Sequence, residues 1–163
     1  MAKREVISIY VDNEANVLTR VVSLFGRRGF NIDSLTVSAT NDPMISRITI
    51  VSGEECNNLS QVITQTEKLE VVKKIFTLEK ENSLYRELLL IRIKADKTNR
   101  TAIKEIVDIY RAKIIDLSKE SMIIEITGAP EKLDGFLNML SCYDIVEICR
   151  TGITAMGRGF QNK

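Results

Sequence analysis

Apolar and polar residues alternate over residues 5–11, EVISIYV, as they do in a strand buried on one face. Val17, Leu18, Val21, Val22, Leu24 and Phe25 then fall at helical spacing, so this strand feeds an amphipathic helix. Gly29 ends that helix behind Arg27 and Arg28, two cations suited to the negative end of a helix dipole or to a protein partner. A period of two returns in Leu35, Val37 and Ala39, with Ser34, Thr36 and Ser38 on the opposite side. Asn41-Asp42-Pro43 makes a turn, and Ser46 to Val51 reads as the returning strand. Leu59, Val62 and Ile63 mark a second helix, and Val71 to Leu78 a closing strand. The order is β-α-β-β-α-β.

The second half repeats it. Leu88 to Ile93 is a strand, Ile103, Ile106, Val107 and Tyr110 a helix face, Lys113 to Leu117 and Ser121 to Ile126 two strands, Leu133, Phe136, Leu137 and Leu140 a helix face, and Ile145 to Thr151 a strand. The predicted fold is α+β, two tandem ferredoxin-like βαββαβ domains, each an antiparallel four-stranded sheet with two helices on one face. The expected division is a first domain over 1–79, a linker over 80–84 at the charged run EKENS (79–83), and a second domain over 85–163. So short a linker implies that the halves pack on each other. Met122, Phe136 and Met139 fit core positions, while the tail Thr151 to Lys163, with three glycines and the basic Arg158, is expected to be mobile. Helices on one side of a sheet leave its other face to be hidden. Pairing with another copy would hide it, which predicts a homodimer; the alternative is a monomer whose halves cover each other.

At 163 residues the chain is long enough to bury about two-thirds of its unfolded surface without staples. Its 23 basic and 22 acidic residues nearly cancel, so charge does not favour a nucleic-acid partner, and no helix-turn-helix or basic stripe is evident. Cys56, Cys142 and Cys149 form no CxxC or Cys/His cluster, which points to buried thiols in a reducing compartment. The amino-terminal stretch MAKREVISIYVDNE is neither a signal peptide nor a membrane span, and the expected location is the cytoplasm, with no membrane role. Histidine is absent, which removes the commonest general acid or base and the commonest metal ligand. No phosphate loop, dinucleotide fingerprint or nucleophile elbow is present either, so an enzyme is not expected.

The candidate chemistry lies at the first strand-to-helix turn, Asp12-Asn13-Glu14-Ala15-Asn16-Val17-Leu18. A helix starting there directs unpaired backbone N–H groups into the loop, and such a start binds carboxylates. Gly29-Phe30-Asn31-Ile32, at the start of the second strand, would bring the Asn31 amide toward the same region. Asn13 and Asn31 offer uncharged donors and acceptors suited to both ends of an amino acid. The ordinary reading, Asn as a cap or turn residue, stands beside this one.

These residues carry a resemblance. Asn13 to Leu18, Thr19-Arg20-Val21, Leu24-Phe25, Arg28-Gly29-Phe30-Asn31-Ile32 and Ser34-Leu35-Thr36-Val37 resemble the amino-terminal ACT domain of acetolactate synthase small subunits. The similarity continues through Asp42-Pro43, Ser46 to Val51, Arg86-Glu87-Leu88, Ile91-Arg92-Ile93, Ile114-Ile115-Asp116, Lys132-Leu133-Asp134 and Arg150-Thr151-Gly152, nearly the whole chain. The resemblance implies a regulatory, non-catalytic subunit that activates a large catalytic subunit and mediates feedback inhibition by the branched-chain amino acids valine, leucine and isoleucine. It implies no cofactor in this chain, with thiamine diphosphate, Mg and FAD on the catalytic partner. It also implies a homodimer through ACT domains, the effector lying between Asn13, Asn16, Val17 and Leu18 of one chain and Asn31 and Ile32 of the other.

One departure stands out. The family turn reads Asn-x-Pro-Gly-x-Leu, whereas Ala15 and Asn16 occupy the Pro and Gly positions here. Glycine admits a ligand carboxylate close to the helix amides. Asn16 is expected instead to supply its own capping oxygen and to weaken effector binding by about 1–2 kcal/mol, the scale of a cap interaction. Two other readings remain open at this level: a free-standing ACT-type sensor acting on another enzyme or on transcription, and an enzyme working through carboxylates and lysines.

Overall fold

The computed structural model describes residues 4–53 and 59–159. In the first half β1 (Glu5–Asp12), α1 (Val17–Arg27), β2 (Ser34–Ala39), β3 (Ile45–Ser52), α2 (Leu59–Glu67) and β4 (Val72–Thr77) follow the predicted order. The strands lie β2-β3-β1-β4, every neighbouring pair antiparallel. Alternation sends Ile7, Ile9 and Val11 to the helix side, where they pack with Val17, Val21, Phe25, Ile48, Ile50 and Val62. The end of α1 forms a Schellman motif: Gly29 N–H donates to the Gly26 carbonyl and Phe30 N–H to the Phe25 carbonyl. Gly29 takes the left-handed conformation this requires, with φ 72°, and the Phe25 and Phe30 rings meet edge-on at 5.9 Å. Arg28, the C-cap residue, donates to Gln61 of α2.

In the second half β5 (Ser83–Lys94), α3 (Arg100–Tyr110), β6 (Lys113–Leu117), β7 (Ser121–Gly128), α4 (Pro130–Leu140) and β8 (Ile145–Arg150) repeat the arrangement in the order β6-β7-β5-β8. Leu89, Ile91 and Ile93 form its core with Ile103, Val107, Met122, Leu133 and Phe136. Met139, expected in that core, is 49% exposed on α4. Both halves are ferredoxin-like βαββαβ units, as the periodicity predicts.

Two boundaries differ from the sequence reading. The linker region holds a single 3₁₀ turn over Lys80–Asn82, and β5 already begins at Ser83. The compact units are one ending at Leu84 that takes in the chain again from Gly152, and a second over Tyr85–Thr151. The segment assigned by sequence to a mobile tail of the second domain thus groups with the first. It contains a further short strand, β9 (Thr154–Gly157).

The reason is the outer face of the first sheet. Val6 and Ser8, alternating with the core residues of β1, lie opposite Val51 and Thr49 on that face, and all four are buried. The C-terminal segment lies on this face. Ile153 and Ala155 are buried, the Arg47 guanidinium donates to the Ala155 carbonyl, and Arg158 N–H donates to the Asn82 carbonyl. At Gly152, with φ 81°, a Cβ would come within 2.5 Å of the Ser34 Cβ, so the backbone crosses β2 where only glycine fits.

Candidate effector site

β1 ends at Asp12, held by Lys73 of β4 at 2.8 Å, and the chain then turns through Asn13 to Asn16 before α1. Asn13 is fastened to the β2–β3 turn. Its backbone N–H donates to the Met44 carbonyl at 2.8 Å, its side-chain Nδ2 donates to the Pro43 carbonyl at 2.9 Å, and its Oδ1 accepts from the Ser46 hydroxyl at 3.0 Å. One N–H and one oxygen lone pair remain for a ligand. Asn16 stands in the left-handed conformation, φ 67° and ψ −1°, and makes no side-chain cap bond. The expected capping oxygen is therefore corrected: Asn16 supplies the backbone geometry of a glycine, and its carbonyl accepts the first helical bond from Arg20.

The first turn of α1 contains no acidic residue, so the positive end of the helix dipole meets no fixed counter-charge there. Val17 is buried in the core, and Leu18 stands 40% exposed beside the turn, an apolar surface next to an anion-favouring helix start. This arrangement places backbone donors beside an exposed aliphatic side chain.

Asn31 and Ile32 lie elsewhere. Asn31 is exposed, with a long 3.4 Å contact to Asp33, and Ile32 packs against the core. β1 and β2 flank β3 and run parallel to each other: Asp12 pairs with Ile45 at one end of β3, and Ser34 with Val51 at the other. Those two positions on β3 are six residue steps apart, about 20 Å at the strand rise. The sequence expectation that Asn31 reaches the Asn13 region within one chain is thus corrected by topology. The two groups meet only if the second comes from another copy.

Sequence reasoning missed Ser46 and Arg47. The Ser46 side chain is buried on the helix side of β3, and the Arg47 side chain lies on the outer side, its Nε donating to Ser8 at 2.9 Å and its guanidinium 5.5 Å from the Tyr10 ring. A small hydroxyl residue at an otherwise apolar strand position was the available signal. In the second unit Arg150 binds buried Glu87 and, at 2.8 Å, Asp134. Burial works against its charge, but the two carboxylates prevail and hold the guanidinium above its ordinary pKa.

No cluster fit to hold a metal occurs among the described residues. Cys142 and Cys149 are free and exposed rather than buried as expected, and Cys56 lies outside the described residues. No described helix is long and apolar enough to cross a membrane.

A split β-α-β sheet whose open turn presents backbone donors beside an aliphatic side chain defines the class of ACT-type regulatory modules, and residues 7–74 match the AHAS small subunit-like ACT domain. Residues 86–159 match the small subunit of acetolactate synthase. The acetolactate synthase small subunit of Mycolicibacterium smegmatis is 48% identical over 94% of this chain and 90% of its own length. A probable acetolactate synthase small subunit of Archaeoglobus fulgidus is 44% identical over 96% of this chain and 98% of its own. The crystal structure of the small subunit from Thermotoga maritima superposes with a TM-score of 0.87 at 39% identity, covering 98% of this chain and 99% of that one. The chain belongs to the acetolactate synthase small-subunit family, the regulatory and not the catalytic chain of that enzyme.

Proposed function

We propose that this chain activates the large catalytic subunit of acetolactate synthase in the cytoplasm and makes it sensitive to a branched-chain amino acid. Thiamine diphosphate, Mg and FAD belong to the large subunit, and this chain supplies no group to the reaction. The effector carboxylate is received by the backbone N–H groups at the start of α1 and by the spare Asn13 amide N–H, and its aliphatic side chain lies on Leu18. The observation that carries this reading is the helix start itself, left without a side-chain cap by a left-handed Asn16.

A homodimer completes the pocket. β2 is an edge strand with Val37 exposed. Antiparallel pairing of β2 with β2 of a second copy sets the beginning of one strand beside the end of the other. Ala39, at the end of β2, pairs with Ser46, which is bonded to Asn13. Asn31 and Ile32 of the second copy then arrive at the Asn13 end, and the two-fold axis generates two equivalent sites.

The test is an assay of the large subunit with and without this chain across titrations of valine, leucine and isoleucine. The chain is expected to raise the rate, and at least one of the three to reverse that gain. An unchanged rate on adding the chain overturns the proposal. Asn13→Ala should abolish the amino-acid response while leaving activation in place.

A further inference from the structure

Two successive residues of β3 join the effector turn to the C-terminal segment. Because side chains alternate across a strand, Ser46 and Arg47 leave β3 on opposite faces. Ser46 donates to Asn13 Oδ1 on the helix side at 3.0 Å, while Arg47 donates to Ser8 and to the Ala155 carbonyl on the outer side. The chain of contacts Asn13–Ser46–Arg47–Ala155 thus runs through the thickness of the first sheet, entirely within the first compact unit.

Resting on the effector reading above, we propose that the C-terminal segment Gly152–Gly159 is the output element of that site, with Arg47 as the positioning residue that connects them. The Asn13 oxygen is the group an effector ammonium would take, and Ser46 already donates to one of its two lone pairs. An ammonium on the remaining lone pair draws this oxygen toward the ligand and weakens the Ser46 bond, so effector binding favours the arrangement in which that bond is released. A buried hydroxyl that loses its acceptor seeks another, and the β3 backbone adjusts to provide one. Arg47 is the next residue, so its three contacts on the outer face shift with it. The Ala155 carbonyl then loses its guanidinium donor. The segment borders a cleft of about 700 Å³ lined by Tyr10, Arg47, Lys74, Phe76, Met156 and Gly157. Through Thr151 it continues directly from β8, so a displacement of Gly152–Gly159 is passed along the chain by covalent connection.

Hydrogen exchange of the full-length chain, followed by peptides covering residues 152–159, tests the proposal with valine, leucine and isoleucine at saturating concentration and with calorimetry to confirm binding. Binding is expected to accelerate exchange in this segment about tenfold, a coupling of ordinary allosteric size. In Arg47→Ala the segment should exchange rapidly in both states, so that the amino-acid-induced difference disappears while binding persists. Ser46→Ala, a smaller change, should also bind and lose most of the difference. A merely structural Arg47 would speed exchange but leave the effector-induced difference in place, and that result overturns the proposal. Binding without any change at residues 152–159 of the unsubstituted chain overturns it as well. Failure of all three amino acids to bind overturns the effector reading, and the relay with it.

Discussion

At φ 67° Asn16 occupies backbone space that costs most L-residues about 1–2 kcal/mol and that Asn, like Asp, tolerates better than most side-chain-bearing residues. Its tolerance of this angle explains how the turn keeps its shape without the family glycine. Asn16→Ala should destabilise the chain by about 1 kcal/mol in urea denaturation. Asn16→Gly should change effector affinity by no more than about twofold, because no capping bond exists to be lost. The same backbone requirement recurs at two helix ends with opposite solutions. Gly29 closes α1, whereas Arg111, with φ 54°, closes α3 by donating to Asp108 while Ala112 N–H donates to Val107. Gly29→Ala is therefore expected to cost about 1 kcal/mol and Arg111→Gly to stabilise by about the same amount, read as opposite shifts of the denaturation midpoint.

Among the elements, β5 and β8 are joined at one end by the Arg150 cluster. Leu89 pairs with Arg150 in the sheet, and the Arg150 side chain reaches both Glu87 on β5 and Asp134 on α4. A strand is thereby fixed to its neighbour and to the helix covering it just before the chain leaves the second unit. Glu87 is almost fully buried, so Glu87→Gln leaves Arg150 with less than its charge demands and should cost about 2 kcal/mol, reduced from the value for a fully buried pair by the exposure of Arg150. Asp134 is 44% exposed, and Asp134→Asn should cost less than about 1 kcal/mol. Chemical denaturation of the two variants, compared with the unsubstituted chain, checks the ranking.

For the whole molecule, the C-terminal segment is part of the first unit's structure. Removing residues 152–163 would take from Arg47 its bond to Ala155 and remove the buried Ile153 and Ala155 together with the close approach of Gly152 to Ser34. Truncation after Thr151 is expected to lower the denaturation midpoint and to promote self-association, measured by urea titration and size-exclusion chromatography. A truncated chain as stable and as disperse as the original would show that the segment is not a needed cover. The outer-face residues of the first sheet are already buried within a single chain, so burial of that face does not require another copy, and the proposed second copy is placed at the β2 edge.

Periodicity alone specifies the two βαββαβ repeats, because each element's alternation or helical spacing is a local property of a few adjacent residues. Val6 and Ile7 show this at the smallest scale: which faces inward follows from the period of two. The turn at Asn13 to Leu18 is legible for the same reason, since its residues are contiguous. The position of Asn31 is not, because the order β2-β3-β1-β4 inserts β3 between the first two strands and sends Asn31 to the far end of the sheet. Nor is the bond from Arg47 to Ala155, which spans residues far apart in the chain. Such contacts are set by how strands pair and by what covers the sheet they make, so local pattern names the elements and the possible ligand groups, while long-range packing selects which of those groups face one another.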